Sequence, residues 1–457
     1  MSLSDTSLSF LKDRNMKTAH IRRMLTSVVA ASQFLIASHY ALVPAVAGDF
    51  EMEPIKYSDS KPDNVISRLQ TKLDNDEVTL SFHPEFGYLP AVLDALKVPQ
   101  STQSLVFSKT SFQRQRIAPR TPRAIYFNDD VYIGYCQNGD VVEVSAVDPV
   151  LGTVFYSMDQ EESAHPKFLR HTDNCLICHG STHTLGVPGH MVRSVYPDLG
   201  GYPVLAAGTY RIDHTSPLPQ RWGGWYVTGT HGPQKHLGNL IIRDGEKNMA
   251  EEVENTSGHN VTDLSRKFNT SRYLTPHSDI VALMVLEHQG QAHNLLTRAN
   301  FETRSARYYE EALNRELKQP FGRQWESTKS RIRSVSEPLV KYLLFSGEAE
   351  LTAQLAGTSG FTKEFSDHGI RDSKGRSLRD FDLKHRMFKY PCSFLIYSES
   401  FDKLPDEVRL PVYQRLFDIL TGKDTSKEFS HLTAADRQAV LEILRDTKQG
   451  LPDYWKS

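Results

Sequence analysis

The chain has 457 residues, of which 39% are hydrophobic and 24% are charged, and this composition argues for a globular protein and against a disordered or collagen-like chain. The 53 Lys and Arg residues are balanced by 55 Asp and Glu residues, so the formal net charge is −2. With no excess of positive charge, the chain is not expected to bind nucleic acid through its overall field. Its four cysteines are too few for a disulfide framework.

The N-terminus has the pattern of an export signal. Three cationic residues precede a mostly apolar run at 25–43, and Ala45-Val46-Ala47 supplies the small residues of a cleavage site. The pattern predicts a signal peptide over residues 1–47, cleaved near Ala47, and a periplasmic location. The alternative is that the run is retained as a membrane anchor, in which case the protein would also contact the membrane.

Residues 48–103 are predicted to be a helical segment, interrupted by prolines. The pattern then changes to short runs of β-branched and aromatic residues, separated by turn sequences such as Asn138-Gly139-Asp140. These runs lie at residues 105–107, 124–127, 131–135, 141–144 and 153–156. They predict an antiparallel meander within a β-rich region that covers residues 104–255.

The stretch at 160–245 is rich in Gly, Pro, His and Trp and contains Cys175-Leu176-Ile177-Cys178-His179. In a CxxCH motif the two thiols reach the two vinyl groups of a haem, and the histidine ligates the iron. A zinc site would need two further ligands at motif spacing, and a thioredoxin-like pair would need a strand-to-helix context. The motif therefore predicts one covalent haem c within region 104–255, held by Cys175 and Cys178 and ligated by His179. The cysteine count excludes a second haem.

The pentapeptide resembles the haem-attachment site of c-type cytochromes. At a looser level, the stretches at 186–190, 221–232 and 390–393 are similar to large uncharacterised bacterial cytochrome c domain-containing proteins. The wider resemblance implies an architecture class. It implies no substrate, because that family has no established activity.

The second axial position decides between electron transfer and chemistry on a small ligand. We expect one histidine of the chain to fill it, with His231 as the first choice, although each candidate is individually more often a structural residue. The other candidates for this position are His183, His190, Met191, His214, His236, Met284 and His288.

Two tryptophans and two arginines have competing interpretations. Trp222 and Trp225 either wall the haem or fill the core. Arg221 and Arg193 are candidates for binding the haem propionates, because a guanidinium matches a carboxylate in geometry; the alternative is that they are surface residues.

Residues 256–457 are predicted to be mainly α-helical. A long helix is expected to start at Thr275-Pro276, and further helices are expected at 338–345, 408–420 and 433–448. Thr433 and Asp436 have the spacing of a capping box. The fold class is therefore α+β, with an antiparallel β-rich N-terminal half, an irregular haem-binding segment and a mainly helical C-terminal half.

Three other residues are candidates for functional roles. Glu287 invites an acid/base role, but a solvated helix position is the simpler expectation. Cys136 and Cys392 either pair or remain buried thiols.

These features predict an exported mono-haem c-type cytochrome that transfers electrons with a redox partner protein or a small-molecule donor or acceptor. The alternative is a peroxidase-like haem oxidoreductase with an open or displaceable distal site. A haem-based sensor or assembly module ranks third, because no signalling domain is evident.

Overall fold

The structure is a computed structural model that describes residues 49–243 and 253–456. The predicted signal peptide therefore lies outside the described residues. From Phe50 onward the described residues form one compact unit. It combines an antiparallel sheet in the N-terminal half with helices in the C-terminal half, which confirms the predicted α+β class.

Two short helices precede the sheet, α1 (Val65–Asp74) and α2 (Leu89–Ala95). The Asn64 side chain caps α1 by accepting hydrogen bonds from Ile66 N and Ser67 N at 3.0 and 3.1 Å. Both helices lie within the segment whose sequence predicted helix.

The sheet is a six-stranded meander in which each strand pairs with its neighbours in sequence. Its strands are β1 (Ser104–Val106), β2 (Arg123–Phe127), β3 (Val131–Tyr135), β4 (Val141–Asp148), β5 (Gly152–Asp159) and β6 (Leu169–His171). The first five confirm the predicted runs. The sixth was not predicted, because Leu169-Arg170-His171 lacks the β-branched and aromatic residues that mark the other strands.

The two faces of the sheet differ in what covers them. One face carries Tyr126, Ile133 and Val144, which are buried in a cluster with the apolar residues of α1 and α2. On the other face, Phe127 and Tyr132 join the core of the helical half. This second face also carries the polar residues that adjoin the CxxCH motif.

The motif itself is helix α3 (Asn174–His179), and short strands follow it. These strands are β7 (Val192–Val195), which pairs with β8 (Thr209–Ile212), and β9 (Gly229–Thr230), which pairs with β10 (Ala356–Gly357).

The long helix α4 (Ile280–Glu316) contributes residues to both hydrophobic clusters. The prediction that it starts at Thr275-Pro276 is wrong. Asp279 caps it, because its Oδ1 accepts from Val281 N at 2.8 Å, and the preceding Ser278 is held by Thr228, whose Oγ1 accepts from Ser278 N at 3.1 Å. The pairing of residues 278–280 with the chain near Thr228 keeps this segment extended.

The remaining helices pack in the C-terminal half. They are α5 (Glu326–Leu343), α6 (Phe361–Asp367), α7 (Glu399–Asp402), α8 (Asp406–Leu420) and α9 (Ala434–Thr447). The capping box of Thr433 and Asp436 is confirmed. Helix α5 begins well before the predicted residue 338, so Pro338 lies inside the helix rather than at its start. Within residues 49–243 and 253–456, no helix has the length and apolarity that crossing a membrane requires.

Candidate functional site

The CxxCH motif forms one short capped helix. The Asp173 carboxylate accepts a hydrogen bond of 2.6 Å from the first helical N–H. Residues three and four apart lie on one face of a helix, so Cys175, Cys178 and His179 share a face of α3. The local sequence therefore places two thiols and one imidazole side by side.

Both motif cysteines are free thiols. Cys178 is exposed and Cys175 is half-buried. Burial, followed by the charge of Glu143, raises the pKa of the Cys175 thiol to about 11. Between them, the Ile177 side chain is 74% exposed. The motif thus presents unpaired thiols and an apolar side chain at the surface.

The motif histidine has the orientation and protonation that a metal ligand needs. His179 Nδ1 lies 2.9 Å from the Gly189 carbonyl oxygen, which can only accept, so Nδ1 carries the proton and Nε2 keeps its lone pair. Burial lowers the pKa of His179 and favours the neutral ring. The Phe155 ring packs against the imidazole with centroids 4.9 Å apart. No hydrogen bond from the described residues engages Nε2.

The carbonyl that holds His179 is itself held by the long helix α4. Asn294 Oδ1 accepts from His190 N at 2.9 Å, and Asn294 Nδ2 donates to His190 O at 2.7 Å. A Cβ at Gly189 would lie 2.1 Å from Asn294 Oδ1, so this close approach requires glycine. Sequence reasoning missed Asn294, because only folding brings α4 to this loop.

An ion pair that sequence reasoning also missed lies beside the motif. Arg123 on β2 pairs with Glu143 on β4, and their side chains are 17% and 19% exposed. Both charges act on the pKa values of Cys175 and His179: Arg123 lowers each pKa, and Glu143 raises it. Burial has the larger effect on both pKa values. Strand pairing brings these two residues to the motif, and no local pattern marks them.

Two candidates for the second axial position lie on the wrong side of His179. His190 and Met191 follow Gly189, which contacts the Nδ1 side of the ring, whereas iron would bind at Nε2. The His190 ring nitrogens are also engaged, at 2.8 Å with Ser145 Oγ and at 3.2 Å with Thr153 Oγ1. Neither residue is therefore placed to be the distal ligand.

His231, the first choice for the second axial position, is fully buried in a cluster of three histidines that does not include His179. Its ring lies 4.6 Å from that of His236 and 5.5 Å from that of His259, and its Nε2 accepts from Asn260 N at 3.0 Å. Among the residues that the structure describes, none of its hydrogen bonds or ring contacts involves the motif helix. The expected role of His231 as an iron ligand therefore finds no geometric support.

The remaining histidine candidates divide between the interior and the surface. His214 and His288 are buried and face each other, with their Nδ1 atoms 2.7 Å apart, and His288 Nε2 lies 2.9 Å from Ser393 Oγ. Met284, one turn earlier on α4, is also buried in the core. His183, four residues after the motif, is exposed.

Arg221 does not point toward a cofactor. Its side chain is 2% exposed, and its Nη1 lies 2.5 Å from Glu287 Oε1. Its other donors reach Ser216 O at 2.8 Å and His214 O at 2.9 Å. The expected propionate contact is corrected, because every guanidinium nitrogen of Arg221 already has a partner inside the protein.

The expectation that Glu287 is a solvated helix residue is also wrong. It is 1% exposed and accepts both from Arg221 and, at 3.1 Å, from Trp222 Nε1. Burial raises the pKa of Glu287 to about 8, and the Arg221 charge opposes this shift.

Trp222 and Trp225 both belong to the helical-half core, so the core-filling interpretation replaces that of a haem wall.

The other two cysteines and the second arginine are also placed. Cys136 and Cys392 are buried free thiols, so they do not pair. Arg193 Nη2 donates to Thr209 Oγ1 at 3.1 Å within the β7–β8 hairpin.

The described residues contain no group of three or more His, Cys, Asp or Glu side chains arranged to hold a metal ion. A haem does not require such a group, because the porphyrin supplies four ligands and a single histidine can supply the fifth. Comparison with known proteins finds no matching family model, no similar curated protein and no similar solved structure.

Proposed function

We propose that this chain is an exported mono-haem c-type protein that takes part in one-electron transfer. The observation that carries the proposal is the neutral, oriented His179 on the same helix face as two unpaired thiols. A free Nε2 beside a bonded Nδ1 is the arrangement by which proteins prepare a histidine for a metal.

The residues present fit a covalent haem. Cys175 and Cys178 would form the thioether bonds, and His179 Nε2 would ligate the iron. A haem held in this way supplies reversible exchange between Fe(III) and Fe(II). The Gly189 carbonyl keeps the proton on Nδ1, and Phe155 limits rotation of the imidazole.

The proposed location follows from the N-terminal sequence. Cleavage near Ala47 would release the chain into the periplasm, where haem is attached to CxxCH motifs. There it would exchange electrons with a redox partner protein or a small molecule.

Cysteine variants test haem attachment. We expect Cys175→Ala with Cys178→Ala to abolish covalent haem when the chain is co-expressed with a c-type haem maturation system. Cys136→Ala with Cys392→Ala is the matched control and should keep one haem per chain. Haem staining of denatured gels and absorbance after denaturation measure the outcome. Equal haem content in both double variants would contradict the proposal.

A second candidate is a haem oxidoreductase with an open distal position. It is favoured because His190 and Met191 follow the loop on the Nδ1 side of His179 and His231 packs against His236 and His259. It predicts a high-spin reduced form that binds CO at once, whereas an electron carrier with two axial ligands remains low-spin. Absorption and paramagnetic-resonance spectra of the haem protein separate these candidates.

A further inference from the structure

One row of residues on the sheet face beside the motif is only partly covered by the rest of the protein. Gly134, Glu143, Ser157 and Leu169 pair in succession across four strands and therefore share a face. Leu169 is 51% exposed, whereas the neighbouring row includes the buried Phe155, which packs on His179. This row is therefore buried at Gly134 and Ser157, partly exposed at Glu143 and exposed at Leu169, and it lies next to the row that contacts the motif histidine.

The Arg123 guanidinium lies directly against the backbone of Gly134. It fits there because residue 134 has no side chain. A Cβ at Gly134 would lie 2.1 Å from Arg123 Nη2 and 2.6 Å from its Nε. Gly134 adopts an ordinary strand conformation, so it is the guanidinium, rather than a turn, that requires the glycine here.

In the part of the chain that the structure describes, the Arg123–Glu143 ion pair leaves one buried donor nitrogen of Arg123 without an acceptor. Both carboxylate oxygens of Glu143 are engaged, one by Arg123 Nη2 and the other at 3.0 Å by Gln113 Nε2. Arg123 Nε is buried and has no hydrogen-bond partner among the described residues. A buried charged donor without a partner is costly, so a ligand that supplies an acceptor would be favoured here.

We propose that Arg123 is the carboxylate-binding residue of the cofactor site: its unpartnered Nε donates to a haem propionate, and its ion pair with Glu143 sets the reduction potential. This inference rests on the proposed function. It assigns to Arg123 the role that the sequence suggested for Arg221 and Arg193.

The expected signs follow from simple electrostatics. A cation near the iron disfavours the additional positive charge of Fe(III), so it raises the reduction potential, and an anion lowers it. Removal of Arg123 should lower the potential, and removal of the Glu143 charge should raise it. Gly134→Ala keeps both charges but displaces the guanidinium.

The experiment uses the haem-loaded full chain and measures its midpoint potential by spectroelectrochemistry. Arg123→Leu should lower the potential, Glu143→Gln should raise it, and the double variant should lie between them. Arg116→Leu is the matched control, because Arg116 pairs with Asp140 at the surface and is 46% exposed. It should leave the potential at the wild-type value.

Resonance Raman spectra provide a second readout through the propionate bending bands. These bands should shift in Arg123→Leu and Gly134→Ala, and Arg123→Lys should retain most of the potential while losing the wild-type band position. Gly134→Ala keeps the test valid if Arg123→Leu fails to fold.

The outcomes separate this inference from the proposed function. Absence of covalent haem in the wild-type chain would contradict the proposed function itself. Haem in all variants, with potentials and propionate bands equal to wild type, would overturn the role of Arg123 alone.

Discussion

At the scale of single residues, the interior of the protein contains a buried pair of opposite charges, Arg221 and Glu287. Arg221 lies in a segment rich in Gly and Trp, and Glu287 lies on a helix, yet the two meet in the core at 2.5 Å. Each is charged, and charged residues are rarely buried unless they are paired. A sequence shows neither the pairing nor the burial, so surface or cofactor roles were the natural expectation. By contrast, the motif residues Cys175, Cys178 and His179 could be assigned locally, because their spacing alone carries the chemistry.

The buried pair yields a stability prediction. Arg221→Leu removes the partner of the buried Glu287 carboxyl and favours its protonated form, and we expect the loss of this pair to lower the free energy of unfolding by about 3–5 kcal/mol. Denaturant titration measures this loss. Arg272→Leu is the control, because its pair with Glu85 is about half exposed on both sides, and it should cost less than about 1 kcal/mol.

The same variant tests whether Arg221 binds the cofactor. The propionate bending bands of the haem-loaded chain should be unchanged in Arg221→Leu, because the partners of Arg221 lie inside the protein. A normal stability with shifted propionate bands would instead restore the propionate role to Arg221.

At the scale of secondary-structure elements, the alternating and helical patterns of apolar residues predicted most strands and helices. The residues at which these elements begin and end depended on partners far away in sequence. The five predicted strands were found because their β-branched runs are separated by clear turns. Strand β6 was missed because its three residues include no β-branched or aromatic side chain. The start of α4 was misplaced because Thr275-Pro276 has a valid local start signal. The true cap, Asp279, is also fixed by a residue far away in sequence: its carboxylate accepts hydrogen bonds of 2.8 Å from both N and Oγ of Ser359.

Asp279 is accordingly expected to be more than a helix cap. Asp279→Ala should lower the free energy of unfolding by about 1–3 kcal/mol, because it removes the cap and leaves Ser359 N without its acceptor. Thr433→Ala removes a cap at the exposed start of α9 and should cost about 1 kcal/mol. Thermal and denaturant unfolding of both variants measure the difference. Equal losses would show that the Ser359 contacts add nothing.

At the scale of the whole molecule, the fold class was predictable but the surroundings of the candidate site were not. Three parts of the chain meet at the motif: the sheet provides Phe155 and the Arg123–Glu143 pair, the loop after the motif provides Gly189, and α4 provides Asn294. These parts are far apart in sequence, and a periodic pattern does not report long-range pairing. The second axial ligand was misjudged for the same reason, because glycines near His231 signalled close packing without showing what packs there.

The central claim is that haem is bound covalently through both motif cysteines. Trypsin cuts after Arg170 and Arg193, so Cys175 and Cys178 fall within one peptide, residues 171–193. In protein matured with a c-type haem system, mass spectrometry should find this peptide carrying one haem, with no thiol left for alkylation. Recovery of the same peptide without haem, and with both thiols alkylated, would contradict the account.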